Sequence, residues 1–387
     1  MDSIVILGGG LTAANAVETL REEGFDGPVT VVAAEPLLPY ERPPLSKDVL
    51  QGAAEFEVLH DAHWYAEREV RVLTGIEASG LDLEGRVVGL VGGDELHYDR
   101  LLIATGAEPR LPDLPGIDRV RVLRTRADEQ LLRSGLTEGT RLAIIGGGWI
   151  GLEVAASARQ AGVDVTVLVR GEAPLAGVLG PRLAGHLADL HRGHGVEVRT
   201  GVQTLAVTGT GVATSQGEIG ADVVLAATGV RPNTALAETS GLAVDDGIVT
   251  DAALRTSDPH VWAAGDVALA LNTALGPLRI EHWDNAIRQG KLAARSMLGQ
   301  DVGYDWQPYF FTDQFEFSME YVGHSSPADT VELRGDVEGN EFIAYWLGGA
   351  DGRTVTAGMN VGIWDVNDTL RDLIGSSVNP AELTDLR

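Results

Sequence analysis

The sequence predicts an α/β protein with two separate βαβ units and a C-terminal α+β sheet domain, and three observations predict it. Two short apolar runs, Ile4 to Leu7 and Leu142 to Ile145, each lead directly into three glycines and a helix-patterned segment. Glycine is abundant at 49 of 387 residues, and 44% of the chain is apolar, which suits a buried sheet with many tight strand-to-helix turns. After about residue 308 the pattern changes to aromatic, alternating runs: residues 341–347 and 354–361 flank Gly-Gly-Ala-Asp-Gly and read as a hairpin.

The first unit begins with strand Ile4 to Leu7, continues through Gly8-Gly9-Gly10-Leu11-Thr12-Ala13 into a helix ending near Gly24, and returns as strand Val29 to Val32 with Glu35 just beyond. In this context the glycines form a dinucleotide fingerprint, so the unit is Rossmann-like. Gly8 makes the turn, Gly10 lets backbone approach a pyrophosphate, Ala13 stands where the third glycine often packs helix on strand, and Glu35 is placed to accept from ribose hydroxyls. The second unit repeats the pattern: strand Leu142 to Ile145, then Gly146-Gly147-Gly148-Trp149-Ile150-Gly151, a helix through Gln160, and strand Val165 to Val169. No acid stands at its edge; Val169 and Arg170 do, and Arg170 reads equally as a receiver for a 2′-phosphate or as a solvated surface residue. Ala104-Thr105-Gly106 and Ala227-Thr228-Gly229 follow apolar strands and read as hinges where the chain leaves one nucleotide domain for another.

Charge and cysteine usage narrow the chemistry. With 56 acidic and 29 basic side chains the net charge is −27, which disfavours nucleic acid and anionic membranes as partners, so an acidic partner requires a local basic patch. No apolar run approaches the ~20 residues of a membrane helix, and the start Met-Asp-Ser leads into a strand instead of a basic signal sequence; a soluble, cytoplasmic protein is expected. Cysteine is absent, which excludes disulfides, thiolate metal sites, protein-bound iron–sulfur clusters and cysteine redox chemistry. Electron transfer therefore requires a bound organic cofactor.

Several longer stretches carry a resemblance: Leu-Pro-Tyr-Glu-Arg-Pro-Pro-Leu-Ser-Lys (38–47), Leu-Leu-Ile-Ala-Thr-Gly-Ala-Glu-Pro-Arg (101–110), Ala-Ala-Thr-Gly-Val-Arg-Pro-Asn (226–233) and Trp-Ala-Ala-Gly-Asp-Val-Ala (262–268). With both glycine motifs, they make the chain similar almost end to end to the FAD-dependent NAD(P)H:ferredoxin reductases that serve cytochrome P450s and Rieske-type dioxygenases. This putidaredoxin reductase-like family is related to apoptosis-inducing factor. The resemblance implies a glutathione-reductase-like flavoprotein: residues 1–109 and 231–308 as a discontinuous FAD domain, 110–230 as the NAD(P)H domain and 309–387 as the C-terminal domain.

The resemblance also implies site residues. Gly265 and Asp266 meet the FAD ribityl and phosphate region, with a helix beginning at Val267 and Asp266 doubling as its N-cap. Glu281, His282 and Trp283 lie at the start of a helix aimed at the flavin ring, Trp283 either touching the ring or simply packing. Arg42 reads as an FAD phosphate or ribose contact. Lys47 stands near the flavin and Glu153 approaches it. A carboxylate in the apolar start of the second helix is costly unless paired, which makes Lys47 its sensible partner across the domain interface. The family's Phe-Trp-Ser-Asp-Gln-Tyr appears as Phe310-Phe311-Thr312-Asp313-Gln314-Phe315, so Phe311 keeps a ring but loses the indole donor.

The expected activity is conversion of a hydride from NADH or NADPH into single electrons for a ferredoxin-type iron–sulfur protein, with Lys47 and Glu153 orienting the reactants. The protein is expected to be a monomer or weak homodimer. Arg288, Lys291 and Arg295, at helical spacing, form either a docking patch for an acidic ferredoxin or a solvated face. Rival readings are a cysteine-independent NAD(P)H oxidase and a flavin-dependent interaction protein.

Overall fold

In the computed structural model, which describes residues 2–387, contacts divide the chain into two compact units. One comprises the chain up to Glu41 with Phe56–Glu108 and Arg231–Pro308; the other comprises Arg42–Glu55, Pro109–Val230 and Tyr309–Arg387.

The first unit is built on a five-stranded parallel sheet in the order Val261–Ala263, Arg100–Ile103, Ile4–Leu7, Val29–Ala33, Val70–Thr74. Its central strands are Val, Ile and Leu runs buried on both faces, as a parallel sheet covered on both sides requires. Helix Leu11–Glu22 covers one face through Ala13, Ala16, Val17 and Leu20. Helix Trp283–Met297 crosses it so closely that a Cβ on Gly290 would lie 2.5 Å from Thr12 O. A three-stranded antiparallel sheet, Ala78–Asp82, Val87–Leu90 and Glu95–His97, contributes Val88 and Leu90 to a core with Val5, Leu7, Leu101 and Ile103.

The segment after Gly265 departs from expectation. No helix begins at Val267, so Asp266 is not a helix N-cap: residues 266–267 form a turn closed by Ala268 N–H donating to Gly265 O at 3.0 Å. Strand Ala268–Asn272 follows. Its alternate residues Ala268, Ala270 and Asn272 are buried, and strands Gly247–Thr250 and Gly276–Leu278 flank it on either side. Sheet pairing on both edges decides against the helix.

The second unit has a four-stranded parallel sheet, Glu197–Arg199, Asp164–Leu168, Arg141–Ile145, Val223–Ala226. It also has a five-stranded antiparallel sheet, Tyr309–Gln314, Phe317–Gly323, Thr354–Val361, Glu341–Gly348, Thr330–Asp336, in which the hairpin read from the sequence is the Glu341–Gly348 and Thr354–Val361 pair. One core runs through both sheets: Leu152, Leu183 and Leu187 of the parallel half pack with Phe310, Phe317, Met319 and Trp346 of the antiparallel half. The contacts therefore group residues 309–387 with 109–230, a coarser division than the three domains expected. Residues 42–55 join the same unit because Leu50 enters this core and Ser157 Oγ donates to Ser46 O at 2.7 Å.

Candidate active site

The two glycine turns have the same backbone construction. In the first, Gly8 has φ +124°, and a Cβ there would sit 2.0 Å from Ala104 O. In the second, Gly146 has φ +115°, and a Cβ would sit 2.2 Å from Ala227 O. Only glycine fits either place, because the φ is hostile to L side chains and a neighbouring carbonyl fills the space. Gly10 and Gly148, two residues on, are the opposite case: apart from their own residue and chain neighbours, no described atom lies within 4 Å of a Cβ built on them, and each is an extended N-cap. Each helix thus begins with open space over an uncapped positive end, the cradle a pyrophosphate needs.

Around the first turn, Leu11 and buried Thr12 and Ala13 open the helix, and Tyr40 Oη donates to Glu35 Oε2 at 2.5 Å. A Cβ on Gly265 would lie 2.5 Å from Thr12 Oγ1, which brings the Gly265-Asp266 turn to the start of this helix. Gln289 Oε1 accepts from Gly265 N–H at 2.8 Å, while buried Gln289 Nε2 has no partner among the described residues. Thr105 and Gly106 are held by Asn233: its Nδ2 donates to Thr105 O at 2.8 Å, and its N–H donates to Gly106 O at 3.0 Å. Glu281 is exposed and ion-paired to Arg279. Trp283 Nε1 donates to Glu41 Oε1 at 3.1 Å, which fixes the indole at the first turn of its helix. Burial pushes the half-buried His282 down to about 4 against the opposing charge of Asp266, so the imidazole is neutral at pH 7.

Around the second turn, the Trp149 ring packs on Phe310 with centroids 5.0 Å apart, whereas Ile150 is 45% exposed at the turn. Arg170 is exposed and has no hydrogen bond or ion pair among the described residues. Strand register sharpens its position. Gly8 N–H donates to Val32 O and Gly146 N–H to Leu168 O, so the counterpart of Glu35 is Gly171, with Arg170 one residue before it. The edge carries no carboxylate at the Glu35 position. Gly229 has φ +90°, and its carbonyl accepts from Arg110 N–H at 2.8 Å.

Lys47 and Glu153 come together within the second unit. Residues Pro43–Ser46 form a 3₁₀ turn set by adjacent prolines, and Lys47 follows it. Its Nζ lies 2.8 Å from Glu153 Oε1, the two side chains being 15% and 4% exposed. Thr312 Oγ1 donates to the same oxygen at 2.6 Å, and Ser46 Oγ donates to Oε2 at 2.5 Å. Phe311 lies on the same unit, its ring centroid 5.5 Å from Lys47 Nζ, in reach of a cation–π contact. Arg42 donates from Nη1 to Arg124 O.

Ser46, Thr312, Gln314, Asn233, Gln289 and Glu41 were not singled out from the sequence. For Thr312 and Gln314 the signal is there: in strand Tyr309–Gln314 they share the inward face with Phe310, and polar residues at inward positions of a strand need partners. The proposed basic face is largely neutralised. Arg288 is bonded to Asp284 at 2.8 Å and Arg295 to Glu23 at 2.8 Å, which leaves Lys291 as the one of the three with no ion pair among the described residues.

Two glycine turns of the same construction, each opening a helix on a parallel sheet, define an α/β protein with two Rossmann-like units. Residues 2–290 match the pyridine nucleotide-disulphide oxidoreductase family model, and the chain belongs to that family. It lacks the disulphide of the family's name, having no cysteine. It is 37% identical to the anthranilate 1,2-dioxygenase system ferredoxin–NAD(+) reductase component of Burkholderia cepacia, over 99% of this chain and 97% of that protein. It is 38% identical to rhodocoxin reductase of Rhodococcus erythropolis, over 89% of this chain and 83% of that one. The reductase fold in the covalent putidaredoxin reductase–putidaredoxin complex superposes with a TM-score of 0.92 at 33% identity, covering 97% of this chain and 94% of that one. Among the described residues no helix is long and apolar enough to cross a membrane, and no cluster of His, Asp and Glu suited to a metal occurs.

Proposed function

We propose that the chain is a ferredoxin–NAD(P)⁺ reductase: it takes hydride from a reduced nicotinamide dinucleotide and delivers single electrons to a ferredoxin-type iron–sulfur protein of a P450 or dioxygenase system. The observation that carries the reading is the repeated open cradle over Gly10 and Gly148 in a chain without cysteine. The residues present fit two dinucleotides. We assign FAD to the first turn, with Gly10, Leu11, Thr12 and Ala13 at the pyrophosphate, Glu35 at the ribose, Gly265 and Asp266 at the phosphate and ribityl region, and Trp283 at the ring. We assign the nicotinamide dinucleotide to Gly146, Gly148, Trp149, Ile150, Gly151 and Gly229.

A bound flavin supplies what no side chain here can, accepting two electrons as hydride and releasing them one at a time. The protein's own contribution is positional. Glu153 holds the Lys47 ammonium in one place, and the pair orients the nicotinamide without acting as nucleophile or general base. The edge beside Arg170, with a free guanidinium and no carboxylate at the Glu35 position, supports acceptance of a 2′-phosphate and hence of NADPH.

An anaerobic stopped-flow titration tests the reading. The purified protein is expected to be yellow, to bleach rapidly with NADPH or NADH, and to recover its colour when an oxidised ferredoxin is added. A colourless protein that takes up no flavin, or a flavin that no nicotinamide reduces, rejects it.

A further inference from the structure

The Lys47–Glu153 pair is the end of a longer buried chain of side chains. Thr312 Oγ1 lies 2.6 Å from Glu153 Oε1, Gln314 Nε2 lies 3.2 Å from Thr312 Oγ1, and His191 Nε2 lies 2.9 Å from Gln314 Oε1. Glu153, Thr312, Gln314 and His191 are at most 4% exposed, and all belong to one unit.

The direction of every bond in this chain follows from the first. The Thr312 hydroxyl has one proton, which goes to the carboxylate of Glu153. The Thr312 oxygen can then only accept, so Gln314 must present its NH₂ to it and its carbonyl oxygen to His191. A carbonyl oxygen accepts, so His191 must carry its proton on Nε2, which leaves Nδ1 bare. Nδ1 is indeed buried without a hydrogen-bond partner among the described residues, the position of a ring nitrogen with no proton to place. Burial pushes His191 below its usual range, in keeping with a neutral ring. Three successive donors thus point at one carboxylate, and aligned hydrogen bonds in a dry interior polarise one another.

Lysine content makes the end of this chain conspicuous. Of 29 basic residues only two are lysines, Lys47 and Lys291. The compact ammonium of Lys47, unlike a guanidinium, cannot bind both carboxylate oxygens in a fork, so its direction depends on how the carboxylate itself is held.

We propose that Thr312, Gln314 and neutral His191 are positioning residues that act through Glu153 to hold the Lys47 ammonium in register for hydride transfer. The proposal rests on the reductase reading for its purpose, and on the hydrogen-bond geometry for its substance. With Ser46 on Oε2 and Lys47 and Thr312 on Oε1, the carboxylate is anchored on both oxygens. Removing the Thr312 hydroxyl leaves a buried oxygen with one donor fewer, which loosens the carboxylate and releases the amine.

The two lysines provide the test. Trace acetic anhydride is applied to the purified protein, and acetylation of Lys47 is measured against Lys291 by mass spectrometry. Thr312→Val is expected to raise the Lys47:Lys291 ratio roughly tenfold, as loss of a hydrogen bond to a charged group implies. Thr312→Ser, which restores the hydroxyl, is expected to return it to the wild-type value, and Gln314→Leu to raise it by a smaller factor. A wild-type ratio in Thr312→Val or Gln314→Leu overturns the proposal, as does a Thr312→Ser ratio as high as that of the valine variant. In the flavin-loaded protein, Thr312→Val is expected to lower the limiting rate of flavin reduction while leaving the half-saturating nicotinamide concentration unchanged; the reverse split also overturns it. If wild-type flavin is not reduced by any nicotinamide and the labelling shifts still occur, the reductase reading fails and the hydrogen-bond chain stands.

Discussion

Three residues after the open glycine, the first turn has Ala13, 1% exposed and packed in the core, and the second has Gly151, where a Cβ would lie 2.5 Å from Gly146 O. Two residues past the returning strand, the first unit has Glu35 bonded to Tyr40; the second has Arg170, exposed and unpartnered among the described residues. A shared backbone device therefore sits in two different settings. The helix of the second turn leaves no room for a Cβ where the first has Ala13, and its edge has Gly171, between Arg170 and Glu172, where the first has Glu35. In the proposed reductase the turn holds a dinucleotide, and the edge and neighbouring side chains select which one.

The closeness of the second helix is the easiest part of this comparison to break. Gly151→Ala pushes a methyl against a backbone carbonyl and is expected to cost about 2–3 kcal/mol. Ala13→Gly at the matching position removes a methyl that fits and is expected to cost about 1 kcal/mol or less. Urea unfolding measures both, and equal costs would show that the two helices are seated alike.

The units also place polar groups differently: the second pairs Lys47 with Glu153, and in the first burial lowers the pKa of the half-buried His282. The His282 pKa falls from 6.5 to about 4 in the folded protein, so between these values the unfolded chain binds a proton that the folded one does not. Its contribution to stability is therefore complete above about pH 6.5 and lost as pH falls toward 4. Between pH 7 and pH 5 the loss is about 2 kcal/mol, and His282→Gln is expected to remove that part of the acid dependence. Identical pH dependence in both proteins would contradict a neutral His282 in the folded protein.

The edge charge gives the smallest effect. Arg170→Ala is expected to lower the preference for NADPH over NADH in flavin reduction by about tenfold, the worth of one charge-assisted bond to a phosphate. An unchanged ratio would mean that Arg170 is only a solvated side chain.

Much of this was legible in the sequence because it depends on local rules. Gly8, Gly10, Gly146 and Gly148 are marked by their place between one strand and one helix, although the carbonyls that close the space at Gly8 and Gly146 come from Ala104 and Ala227. Glu153 announces itself as a carboxylate amid apolar helix residues, which demands a partner. Val267 shows the limit: the turn after Asp266 is compatible with either a helix or a strand, and pairing with the strands Gly247–Thr250 and Gly276–Leu278 chose the strand. The basic face on helix Trp283–Met297 shows a related limit: helical spacing aligns Arg288, Lys291 and Arg295 but does not reveal that Glu23, far away in the chain, pairs with one of them.

The sequence by itself determined the two βαβ units, the glycines that only those turns tolerate, the absence of thiol chemistry and the need for Glu153 to find a cation. Each follows from composition or from contacts a few residues long. Only the tertiary structure decided that residues 42–55 and 309–387 share a core with the second glycine turn, and that Ser46, Thr312, Gln314 and His191 gather behind the Lys47–Glu153 pair. Ser46, His191 and the Thr312–Gln314 pair are each more than a hundred positions from one another in the chain. What selects their positions is satisfaction of buried polar groups, a property that exists only once the sheets have packed.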